Sequence, residues 1–131
     1  MADFLLWIGL YNVLGVLILM AMHHEGIADF ILRRSTEIIA EPYTHGSFGR
    51  MWLWWAATTN AFLGAVMLLS LRWPEAVQRE VVVGVVAVYV VMWVVLLVGG
   101  RGPRFGRGVY VCHGLWISQI AWGGWALSGG A

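Results

Sequence analysis

The chain has 131 residues, 60% of them hydrophobic and 11% charged, with a mean hydropathy of +0.77. A soluble domain carries about 25% charged residues, so this chain has too few to cover a globular surface; that excludes an ordinary cytosolic enzyme, a nucleic-acid binder and a disordered chain. The net charge of +1 is silent about partners, and a single cysteine, Cys112, excludes an internal disulfide framework and a CxxC metal site.

These exclusions leave an integral membrane protein. A helix needs roughly 20 apolar residues to cross a bilayer, and residues 4–22, 51–71, 81–98 and 108–127 qualify, none of them containing Asp, Glu, Lys or Arg. The first stretch has neither a basic leader nor a small-residue cleavage site after it, so it reads as a retained span rather than a signal peptide. After it, Ala28, Ile31, Leu32, Ile38 and Ile39 share one helical face, with Asp29–Arg33 and Arg33–Glu37 as i,i+4 ion pairs on the other side. This spacing predicts an amphipathic helix over residues 27–41, lying at the membrane interface and stopped by Pro42.

The second span is opened by Trp52, Trp54 and Trp55 and followed by Trp73, as expected where indoles settle at the headgroup level. Arg72-Trp73-Pro74 then makes a tight turn. The valine-rich third span also has the composition of a buried strand, but only a helix satisfies its own backbone in lipid. Residues 99–103, with three glycines and Pro103, turn the chain into the fourth span. The expected fold is therefore all-α: one transmembrane domain, a four-helix bundle with an interfacial helix in its first loop.

Small residues let membrane helices approach closely. Ala57, Ala61 and Ala65, the adjacent row Ala56, Asn60 and Gly64, and on the fourth span Gly114, Ser118 and Ala121 are expected to face other helices, with the second span central. At 1.5 Å per residue, Asn12, Asn60, Tyr89 and Gln119 all fall roughly 12–17 Å from a membrane face and form one midplane layer. The layer reads either as interhelical hydrogen bonds or as a site for a small solute or a quinone headgroup.

The loops place His23, His24, His45 and His113 at one membrane face, with Glu25 directly after the first pair. Imidazoles with a carboxylate suit zinc, iron or copper, and a single embedded imidazole suits haem. The competing reading is structural: His23, His24 and His45 sit in wet interfacial positions, and the spacing matches no metal motif. His113, inside a span, is the strongest ligand candidate. No nucleophile–base set, paired intramembrane carboxylates or phosphate-binding loop can be assembled. Arg33, Arg34, Arg50, Arg101, Arg104 and Arg107 lie on the two-loop side against Arg72 and Arg79 on the other, which predicts cytoplasmic loops and outside termini.

In layout the chain resembles the small four-span DoxX-like membrane proteins. It has a first span with a long, partly amphipathic loop, Gly49-Arg50 opening a second span rich in small residues, the Arg72-Trp73-Pro74 turn, and a Gly/Arg-rich third loop. That family takes its name from a membrane subunit of a thiosulfate:quinone oxidoreductase. The resemblance implies a compact bundle attached to a redox complex and carries no functional residue to this chain. The expected role is a non-catalytic, structural or redox-associated component of a bacterial inner-membrane assembly or homo-oligomer. The alternatives are a metal-, haem- or quinone-binding membrane protein and a small-solute transporter.

Overall fold

The computed structural model describes residues 1–21, 24–44, 46–99 and 104–129, with the side chains of 18 and 19 set aside. Regular structure among these residues is helical throughout. α1 is Ala2–Ala21, α2 is Glu25–Asp29 and continues as a π-helical turn over Phe30–Ser35, α3 is Phe48–Ser70, α4 is Glu75–Gly99 and α5 is Val109–Leu127. The valine-rich run thus lies in a helix. α3 and α4 are long and apolar enough to cross a membrane, and α1 contributes a shorter apolar stretch, Ala2–Leu17.

Local chemistry sets the helix ends. The Ser47 hydroxyl accepts the Arg50 N–H at 3.2 Å and the Glu41 carboxylate accepts the Phe48 N–H at 3.1 Å, so two orphan donors at the start of α3 are satisfied. Pro74 precedes α4, and its carbonyl accepts the N–H groups of Val77 and Gln78. The Gln78 amide reaches back to the Trp73 carbonyl at 3.0 Å and closes the short turn between α3 and α4.

The long helices associate chiefly as two pairs, α1 on α3 and α4 on α5, with sparser contact from α3 to α4 and from α1 to α5. α3 is therefore a partner of α1 rather than the centre of the arrangement. Gly64 explains the α1–α3 pair: a Cβ there would stand 3.0 Å from Val13, 3.1 Å from Asn12 Cβ and 3.1 Å from the Gly9 carbonyl. The pairs meet over Phe4, Leu5, Met67, Val82, Val85 and Ala126, at the end holding the α3–α4 turn. The Phe4 ring packs edge-on against Trp122 there, with centroids 5.8 Å apart.

Two packing expectations are corrected. Of the small-residue rows, Gly64 is buried, whereas Ala61, Ala65, Gly114, Ser118 and Ala121 are exposed. α5 instead turns Gln119, Gly123 and Ala126 inward, and Gly123 lies against Val86 and Phe4. Large neighbours chose the face that needed a glycine.

The amphipathic segment stops at Ser35 rather than reaching residue 41. The Thr36 N–H and hydroxyl both bond the Ile31 carbonyl, and Glu37 then takes a left-handed φ of 51°, which breaks the helix. Asp29–Arg33 forms at 2.7 Å as expected, but Arg34, not Glu37, supplies the second contact, reaching Asp29 at 3.2 Å. The apolar side faces protein: Ala28, Leu32, Ile39 and Tyr43 bury against Leu53 of α3.

Candidate functional site

The first and third loops are tied together backbone to backbone. Ala40 N–H bonds the Arg104 carbonyl at 2.9 Å, Gly106 N–H the Ile38 carbonyl at 3.1 Å, and Gly108 N–H the Glu37 carbonyl at 2.9 Å, around an antiparallel bridge between Ile39 and Phe105. This approach requires glycine. A Cβ on Gly106 would strike the Glu37 carbonyl, and one on Gly108 the Thr36 carbonyl. The pairing fixes Arg104 and Phe105 at the loop end of the long helices.

Beneath them α3 and α4, adjacent at their turn, are separated by a cavity of about 480 Å³. α3 contributes Met51, Trp52 and Trp55 to its wall, α4 contributes Met92, Val95 and Leu96, and α5 contributes Trp116. Phe48, Phe105 and Arg104 stand at the loop side. Phe105 packs edge-on to Phe48 and Trp52, with centroids 5.2 and 6.4 Å away, so the aromatic rim is braced by its own ring contacts. The Arg104 guanidinium carbon stands 5.3 Å from the Phe48 ring centre, a cation–π contact that holds the charge at the rim.

Nearby charges are engaged elsewhere. Asp29 accepts from Arg33, from Arg34 and from the Tyr43 N–H, and these contacts, led by the Arg33 hydrogen bond and the Tyr43 N–H, hold its carboxyl well below the usual range. The same pairing raises the Arg33 guanidinium. Glu25 lies 3.4 Å from Arg50. Arg104 makes no ion pair among the described residues.

The residues singled out by sequence distribute as follows. In the midplane layer, Asn12 and Tyr89 are brought together: the Asn12 amide donates to the Tyr89 hydroxyl at 2.8 Å and to the Ile8 carbonyl at 2.7 Å. Gln119 is buried and Asn60 half-buried, and no hydrogen bond joins either to that pair. His24 is exposed ahead of α2. His113 is half-buried, with its Nδ1 enclosed and unpartnered among the described residues, and its ring lies 6.0 Å from that of Tyr110. His23 and His45 lie outside the described residues. Among the described residues no three His, Cys, Asp or Glu side chains gather as a metal site.

Sequence reasoning missed the cavity. Trp52 and Trp55 read as headgroup aromatics and Arg104 as a topology charge, and no periodicity states that α3 and α4 diverge. The alternation of aromatic residues with Arg104 next to Phe105 was the available signal. No known family, curated protein or solved structure matches this chain, so the cavity and the polar pair stand on the chain's own geometry.

Proposed function

We propose that the chain is a four-helix integral membrane protein of the bacterial inner membrane, serving as a non-catalytic component of a membrane assembly. The observation that carries this reading is the inverted polarity of the long helices. Leu14, Leu17, Phe62, Leu69, Val91, Val98, Val111 and Ile117 are exposed while Asn12, Tyr89 and Gln119 are buried, and only 28% of the most apolar stretch of α3 and of α4 is buried inside. A soluble fold hides such residues; a bilayer solvates them.

Exposed Trp7, Trp73 and Trp125 near the turn end, and Trp54 and Trp55 near the loop end, supply the two aromatic belts. At about 28–37 Å by helical rise, α1, α3, α4 and α5 suit a hydrocarbon core of about 30 Å. This is also the layout in which the sequence resembles the DoxX-like proteins. The Asn12–Tyr89 bond supports a structural role for the interior polar groups, since it joins α1 to α4.

Two measurements test the proposal. In a Cys112→Ser background, single cysteines at Ala2, Ala76 and Ser128 should react with an impermeant maleimide from the periplasmic side, and one at Arg107 from the cytoplasmic side. Labelling of Ala2 and Arg107 from the same side overturns the topology. Protein purified in mild detergent should copurify with partner subunits and show no visible absorption. A Soret band lost in His113→Ala would replace the structural role with cofactor binding.

A further inference from the structure

We propose that the cavity between α3 and α4 binds an amphiphile, with its acyl chain between the helices and its anionic head on Arg104. The proposal rests on the membrane reading. Three observations carry it. The wall is apolar along its length, and its volume of about 480 Å³ falls within the roughly 300–1,000 Å³ of small-molecule sites. Met51 and Met92 give it deformable sides, which suits a flexible chain better than a rigid ring.

The slot is also open sideways. Met51, Trp55 and Val95 line it and remain exposed on the outer surface of the helices, so an acyl chain enters laterally from the bilayer. Finally, among the described residues the one charged side chain lining the rim is a cation without a carboxylate. Asp29 and Glu25 are bound to other arginines, Glu41 caps α3, and Arg104 is held over Phe48 with its donors unused by any described acid. Guanidinium beside an apolar slot complements a phosphate or carboxylate attached to a hydrocarbon tail. Two sources share that chemistry, an anionic phospholipid and a free fatty acid.

The test uses the full chain in nanodiscs doped with acyl chains carrying a photoactivatable diazirine, in three arms: phosphatidylglycerol, a free fatty acid, and zwitterionic phosphatidylcholine. Adducts are mapped by peptide mass spectrometry. Cavity residues such as Trp52 and Leu96 should be labelled by one or both anionic probes, and which of the two labels them identifies the source. Outward residues such as Phe62 and Val91 should be labelled by all three.

Arg104→Gln should lower the cavity adducts about tenfold, the scale of one hydrogen bond to a charged group, and leave the outward adducts unchanged; Arg104→Lys should restore part of the loss. Leu96→Trp, which fills the slot, should remove cavity adducts from every arm. Equal cavity labelling by phosphatidylcholine, or labelling indifferent to Arg104→Gln, overturns the anionic head. Outward labelling without cavity labelling overturns the site alone, and absence of labelling anywhere overturns the membrane reading with it.

Discussion

The two ends of the helix assembly are built differently. At the turn end, Phe4, Leu5, Met67, Val82 and Ala126 fill the space between the two helix pairs, and Gly64 and Gly123 let the backbones approach. At the loop end, Trp52, Trp55 and Trp116 line a cavity between α3 and α4, and the gap is bridged from above by the paired loops and not filled from within. Interlocking side chains, the Phe4–Trp122 ring pair among them, fill one end; an open cavity occupies the other.

The largest expected effect comes from breaking the brace of the open end. Gly108→Val should drive a side chain into the Thr36 carbonyl and separate the two loops, an overpacking cost of about 1–3 kcal/mol or more. Hydrogen exchange should then rise at residues 38–40 and 104–108 while the amides of 4–8 and 63–67 keep their protection. Uniform loss of protection would mean that the two ends are one cooperative unit.

The solid end is challenged next. Gly64→Leu should cost about 1–3 kcal/mol by pushing α1 from α3, read as a lower melting temperature in detergent with the loop pairing intact. Acid should act on the loop end through Asp29. Asp29 has a folded pKa below its unfolded value, so its contribution is fully present above the unfolded pKa of about 3.9. That contribution is lost as pH falls through the lower folded value. Protection of the Tyr43 amide should fall with acidification, and Asp29→Asn should remove that dependence; an Asp29→Asn protein with the same acid profile would assign the loss to another group.

The smallest effect sharpens the middle. Tyr89→Phe should cost about 0.6 kcal/mol, the usual worth of an interhelical hydrogen bond in a membrane protein. Asn60→Ala should cost less, because Asn60 is half-buried and makes no bond to the Asn12–Tyr89 pair. An Asn60→Ala protein that melts lower than Tyr89→Phe would restore the four-member polar layer that the sequence predicts.

The sequence by itself determined what periodicity and composition can carry. The absence of charge from four long apolar stretches predicts the four long helices, and the Arg72-Trp73-Pro74 turn falls where a helix must stop. Asp29–Arg33 lies at a spacing that a helical turn enforces. The depth of Asn12 and Tyr89 follows from helical rise, so their meeting was half legible. The tertiary structure alone decided which face each helix turns inward. A row of small residues is equally at home against lipid or against a neighbour, and Gly123 beside Val86 and Phe4 took the contact that Gly114, Ser118 and Ala121 were expected to make. It also decided that the amphipathic segment ends at Ser35, because pairing of Ile38–Ala40 with Arg104–Gly106 offers that backbone partners from a distant loop. The cavity is likewise tertiary: it is the space left where two helices joined by a short turn diverge, lined by side chains from Phe48 to Trp116 that no local pattern brings together.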